Sequence, residues 1–235
     1  QRAVIGGLSM GGYVAFAFWR RHRARVRGLA LLDTRAEPDS EAARANRDAS
    51  MRRVREAGVA AFVEDMLPRV LAPASLADPA IADEARRIMA TQSVEGIVGA
   101  LGGLRDRSDS RSLLPGIDVP VLALGGAEDA LTPSPDMEAM AAAIPGARMV
   151  VIPRAGHLSP LEQPAAVNEA LDDLGAVLDK LSAEGEDPAE TFARSFRLVG
   201  RMFRRRPETC KVLLNTGLKL ISADRGLAPR ALRDI

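Results

Sequence analysis

The most constraining feature of the chain lies within its first two dozen residues. An apolar run, 3–8, passes without a linker into Gly7-Leu8-Ser9-Met10-Gly11 and then into a helical stretch over 10–23. A chain that goes from strand to helix within one residue must turn sharply. Small residues at Gly7 and Gly11 are expected to make room for that turn. The turn lifts the Ser9 hydroxyl off the sheet and places it at a helix N-terminus. Unpaired N–H groups and the helix dipole favour negative charge there. Ser9 is therefore the candidate nucleophile, and the N–H of Met10 a candidate oxyanion donor. The bland alternative is a glycine-rich turn that only packs a helix on a strand.

Three further apolar runs, 28–33, 119–124 and 147–152, read as buried strands. Continuous apolar runs of this length suit a parallel sheet covered on both faces. Alternation of strands with helical segments is the pattern of an α/β fold. Between the second and third runs, residues 36–112 have another texture. Val59, Phe62, Val63, Met66, Leu67, Val70 and Leu71 follow a helical period, as do Val94, Ile97, Val98, Leu101 and Leu104. Pro68, Pro73 and Pro79 punctuate the segment. An all-helical insertion here is expected to form a lid over the C-terminal ends of the strands. A closing helix is expected over 164–178. The chain then divides into a core made of 1–35 and 113–180, a lid of 36–112, and a linker with a helical tail, 181–235.

A serine hydroxyl needs a base, and the chain has two histidines. His22 lies in the basic helix end Arg20-Arg21-His22-Arg23 and reads as a solvated residue. His157 lies in a loop just past the fourth strand, at the sheet edge where sites assemble. It is the candidate base. The acid that orients it is expected to be Asp129, after the third strand. Glu128 is its neighbour, and Asp33, at the end of the second strand, is the alternative acid. Serving only as a cap for the turn that follows is the other reading of Asp33. The order Ser9, Asp129, His157 is that of the strand–serine–helix hydrolases.

Three stretches carry a resemblance: Gly-Leu-Ser-Met-Gly-Gly after a strand, Gly-Ala-Glu-Asp-Ala-Leu-Thr-Pro after another, and Ala-Gly-His-Leu-Ser-Pro-Leu-Glu-Gln-Pro. Together with Leu-Leu-Asp-Thr-Arg-Ala at 31–36, they resemble the esterase and enol-lactonase-like branch of the α/β-hydrolase superfamily, over about residues 3–178. The resemblance implies a partial α/β-hydrolase parallel sheet lacking its N-terminal strands, with a helical lid insertion and a helical C-terminal tail. It implies a serine hydrolase that cleaves a carboxylic ester or lactone through a Ser-His-Asp triad and an acyl-enzyme. Neither metal nor organic cofactor is called for. In such proteins, strands and a second oxyanion loop precede the nucleophile, so the chain alone is expected to be weakly active or inactive and to expose a sheet edge. A cofactor-free perhydrolase or acyltransferase, and a non-catalytic ligand receptor on the same scaffold, are the alternatives.

Net charge is +1 and aromatics are 3% of 235 residues, which argues against a nucleic-acid partner. The expected partner is a small ester or lactone. One cysteine, Cys210, excludes a disulfide within the chain. No run is apolar enough to span a membrane, and a cytoplasmic location is expected. In the tail, Phe192, Phe196, Val199 and Phe203 form one helical face, and Arg194, Arg197, Arg201, Arg204 and Arg205 the opposite one. Packing of the phenylalanine face on the core or on other sequence is preferred over contact with an anionic membrane or an acidic partner.

Overall fold

In the computed structural model the described residues are 2–182, and the tail readings fall outside them. Four parallel strands form one sheet in the order β1-β2-β3-β4, with β1 Ala3–Leu8, β2 Val26–Leu32, β3 Val121–Gly126 and β4 Arg148–Ile152. Strands β1 and β4 are its edges among the described residues. Helix α1, Met10–His22, joins β1 to β2, and α6, Ser134–Ala142, joins β3 to β4.

Strand pleat divides the core in two. Leu29, Leu31, Val121 and Ala123 point to one face, where Phe16 and Trp19 of α1 and Met137 and Met140 of α6 cover them. Ala30, Leu32, Leu122 and Leu124 point to the other, under Val167, Ala170, Leu174 and Leu178 of α8, Pro164–Ser182. Both faces being covered, the strands read as unbroken apolar runs.

Strand ends differ from the sequence expectation by a few residues. Strand β2 starts earlier, at Val26, which pairs with Ala3. Strand β3 starts at Val121 because Pro120 has no N–H to give; its carbonyl still accepts from Leu29 N at 2.9 Å. It runs on through Gly125 and Gly126, which pair with Val151 and Ile152.

The segment between β2 and β3 is helical: α2 Glu41–Val70, α3 Pro73–Ala77, α4 Pro79–Met89 and α5 Val94–Arg105. Ser40, Asp78 and Ser93 cap α2, α4 and α5 by accepting backbone N–H bonds. Pro73 and Pro79 open their helices, where the missing N–H costs nothing. The α2 span is broken at Gly58, whose φ of 79° and ψ of 177° join two helices across a kink. Met51, Val54, Ile97 and Leu101 hold α2 to α5. Val63, Leu67 and Val70 of α2 pack with Ala82 and Ala85 of α4 against Leu131 and Leu158 from loops after β3 and β4. The insertion thus sits on the loops that carry Asp129 and His157.

Candidate active site

Ser9 lies between β1 and α1 with φ 53° and ψ −113°. A non-glycine residue at positive φ is strained and needs support from its surroundings. Its N–H donates to Leu32 O at 2.8 Å, and its carbonyl accepts from Gly12 N and from Thr34 Oγ1, each at 2.9 Å. The hydroxyl is not used as a helix cap. Gly7 is sterically required, since a Cβ there would lie 2.1 Å from the Gly11 carbonyl carbon. The expectation for Gly11 needs correcting: a Cβ on it would meet nothing within 4 Å. It is the backbone of Gly11 that crowds Gly7. The second glycine without room is Gly12, where a Cβ would stand 2.4 Å from the Thr34 side chain. Met10 is the first helical residue, so its N–H has no acceptor within the helix.

His157 and Asp129 are brought together. The imidazole Nδ1 stands 2.8 Å from Asp129 Oδ2, with both residues buried. A carboxylate at Nδ1 places the ring proton there and leaves Nε2 as the acceptor. Asp129 is held in turn: Leu131 N and Thr132 N donate to its Oδ1 at 2.8 and 3.0 Å, and Thr132 Oγ1 donates to Oδ2. Burial alone would raise the Asp129 carboxyl, but the hydrogen bond and charge of His157 and the Thr132 donors outweigh it and hold the group below its ordinary value. Glu128 is exposed, and so is His22, at the far end of α1.

Asp33, the alternative acid, bonds elsewhere. Its Oδ1 accepts from Gly126 N at 2.8 Å and its Oδ2 from Ser159 Oγ at 2.5 Å. Its φ is 45°, and its N–H donates to Leu124 O at 2.7 Å. It stitches the end of β2 to the end of β3 and to α7, Ser159–Glu162, just past His157. Burial pushes its carboxyl up to about 7, against the lowering effect of Ser159 and Gly126.

Two further residues of this neighbourhood, Thr132 and Glu162, hold its polar groups in place. Thr132 carries a recognisable signal, an aspartate followed three residues later by threonine, a turn in which the carboxylate accepts from the backbone ahead of it. Glu162 carries none: its donors are backbone N–H groups, which any residue supplies, and one of them, Ala72 N, lies 90 residues away.

Known proteins resemble this chain in sequence and fold. The alpha/beta hydrolase family model matches residues 1–170. A pimeloyl-acyl-carrier-protein methyl ester esterase of Neisseria meningitidis serogroup C is 34% identical over 163 residues, 66% of this chain and 62% of that protein. The 3-oxoadipate enol-lactonase 2 of Acinetobacter baylyi is 28% identical over 172 residues, 73% and 62% of the two chains. The solved structure of a thermophilic esterase from Thermogutta terrifontis superposes with a TM-score of 0.72 at 44% identity, covering 75% of this chain and 65% of that one. The chain spans less than two thirds of the length of these relatives. Residues 187–235 match a different family model, the tetracyclin repressor-like C-terminal domain. No helix among the described residues is long and apolar enough to cross a membrane. Over its first 170 residues, by fold and by sequence, the chain belongs to the alpha/beta hydrolase family.

Proposed function

We propose that this chain carries the nucleophile, base and acid of a serine esterase or lactonase. The observation that carries the reading is the buried Asp129–His157 pair at 2.8 Å, on the sheet edge where the strained turn presents Ser9. Esterases and an enol-lactonase among the relatives support a carboxylic ester or lactone as substrate.

The mechanism follows from the charges. His157 Nε2 accepts the Ser9 proton as Oγ bonds to the ester carbonyl carbon. The carbonyl electrons move to oxygen, where the Met10 N–H stabilises the developing charge. Asp129 holds the ring and stabilises its cationic form. Collapse expels the alkoxide, which takes the proton from His157. Water, deprotonated by His157, then attacks the acyl-enzyme, and its breakdown returns Ser9 and releases the acid. The helical insertion, packed on the loops that carry Asp129 and His157, is the lid of this reading.

The test is turnover of a short aryl ester by the wild-type protein and by Ser9→Ala. Loss of turnover in the variant, with unchanged thermal unfolding, is the expected result. Equal rates in the two, well above the uncatalysed background, would remove Ser9 from its role.

A further inference from the structure

The geometry points to Glu162 as the positioning residue of this site: its buried carboxylate fixes the backbone on both sides of His157 and ties it to the helical insertion at Ala72. This rests on His157 being the base proposed above.

Glu162 is only 5% exposed, and the bonds to its carboxylate come from backbone N–H groups. Its Oε1 accepts from Gly156 N at 2.9 Å and from Leu158 N at 3.2 Å, the residues immediately before and after His157. Its Oε2 accepts from Ala72 N at 2.8 Å, between α2 and α3. A buried carboxylate is costly unless its lone pairs are occupied, and three donors occupy them here. Bonds of backbone donors to an ionised acceptor are stronger than neutral ones, so the carboxylate acts as a clamp rather than as filler.

Independent contacts mark the same junction. A Cβ on Gly156 would lie 2.6 Å from Ala72 N and 2.8 Å from the Leu71 carbonyl carbon, so the two backbones touch. Leu158 N also donates to Val70 O at 3.1 Å. On its other side the loop lies against β3, since a Cβ on Gly126 would fall 2.1 Å from Gly156 O. The segment bearing His157 is wedged between β3 and the insertion. Among the described residues, Glu162 is the side chain that bonds to both the segment and the insertion. A shift of residues 70–72 reaches the His157 segment through the Leu158 to Val70 bond and through Glu162, whose carboxylate holds that segment on both sides of the imidazole.

The consequence is specific. Removing the carboxylate leaves the Gly156 and Ala72 N–H groups unmatched, leaves Leu158 N with Val70 O alone, and lets the loop move relative to Asp129. Catalysis is sensitive to such movement, since about 1 Å of misplacement can cost about a hundredfold. Binding of substrate does not pass through His157 in the same way, so the loss belongs to kcat rather than to KM.

The experiment uses the full chain with Glu162→Gln and Glu162→Ala. Two readouts are taken: the imidazole N–H proton resonances, and kcat with KM on an aryl ester. With two histidines in the sequence, His22→Gln assigns the signals. In Glu162→Ala the low-field Nδ1–H signal of His157 is expected to vanish, and kcat to fall about a hundredfold with KM moving less than about twofold. Glu162→Gln keeps one acceptor oxygen and falls between. An unchanged Nδ1–H signal, an unchanged kcat, or a loss confined to KM in a folded variant overturns the proposal. Should the alanine variant not fold, the isosteric glutamine variant decides by the same readouts. Should the wild-type chain turn over no ester, the proton resonances still decide the clamp; ester turnover that persists in Ser9→Ala makes the esterase reading fail instead.

Discussion

Asp33 and Asp129 are both buried at the C-terminal edge of the sheet, yet their surroundings drive them apart. Asp129 faces an imidazole and three local donors and stays ionised. Asp33 has two donors and no cation at hydrogen-bond distance, and its carboxyl rises to about 7. The proposed roles predict unequal effects in ester turnover. Asp129→Asn should lower kcat by roughly a thousandfold or more, since it loses the group that stabilises the imidazolium. Asp33→Asn should stay within about tenfold, because it touches the base only through the loop. Equal losses would reverse the assignment of the acid. Asp33 also sets a pH dependence. Its folded pKa lies above the ordinary 3.8 of an unfolded aspartate. Between about pH 4 and 7 the unfolded chain gives up this proton while the folded one keeps it, so stability falls as pH rises through that window. The contribution reaches about 4 kcal/mol at most above pH 7. In Asp33→Asn the slope disappears. Urea midpoints at pH 5 and pH 8 should therefore shift in the variant's favour at the higher pH, and an identical shift at both would refute the account.

Among the elements, the insertion shows what a periodic pattern can and cannot say. The spacing of Val59 to Leu71 marks a helix because every third or fourth residue must face Ala82, Ala85 and the loops below. The pattern does not reveal the break at Gly58, because a kink leaves the apolar positions on both sides intact. Gly58 has open space around its missing Cβ, so packing does not require glycine there. Its φ of 79° does. Gly58→Ala is expected to cost about 1–3 kcal/mol. Gly102→Ala in α5, equally uncrowded and at helical φ, should instead stabilise by about 0.4–1 kcal/mol. Thermal unfolding of the two variants checks both signs. The nucleophile turn is the opposite case. Its sharpness was legible from Gly7 next to Ser9, but that Gly12 rather than Gly11 is the crowded glycine depends on Thr34, which belongs to another strand's end.

For the whole molecule, the insertion must stay registered on the sheet, and one buried cation does much of this. Arg107 donates to Glu37 O at 2.9 and 3.1 Å, to Leu104 O at 2.9 Å and to Asp39 Oδ1, and its guanidinium lies 4.4 Å from the Tyr13 ring centre. It thereby joins the end of α5 to the segment leaving β2 and to α1. Despite burial, which alone would raise it, the Asp39 carboxyl is held below its ordinary value by Arg107 and Arg47. Arg107→Ala leaves Asp39 buried with Arg47 alone and is expected to destabilise by about 3–5 kcal/mol. Denaturant midpoints measure this, and a change below 1 kcal/mol would show that the contact is incidental.

By itself, the sequence determined the α/β class, the four strands, the helical insertion and the order of Ser9, Asp129 and His157. Each of these is written in residues close together: an apolar run, a helical period, a serine between glycines. Tertiary structure decided the rest. The Asp129 to His157 bond spans 28 residues, Glu162 to Ala72 spans 90, and Asp33 to Ser159 spans 126. Motif order favours Asp129 as the partner of His157, but what Asp33 bonds to instead, Gly126 and Ser159, depends on where distant loops turn, and local pattern does not encode the direction of a side chain relative to a distant strand. Glu162 is the sharpest instance. In sequence it is an acid near a proline; in the folded chain its carboxylate also joins the backbone beside His157 to Ala72, because the fold lays the end of α2 against that loop.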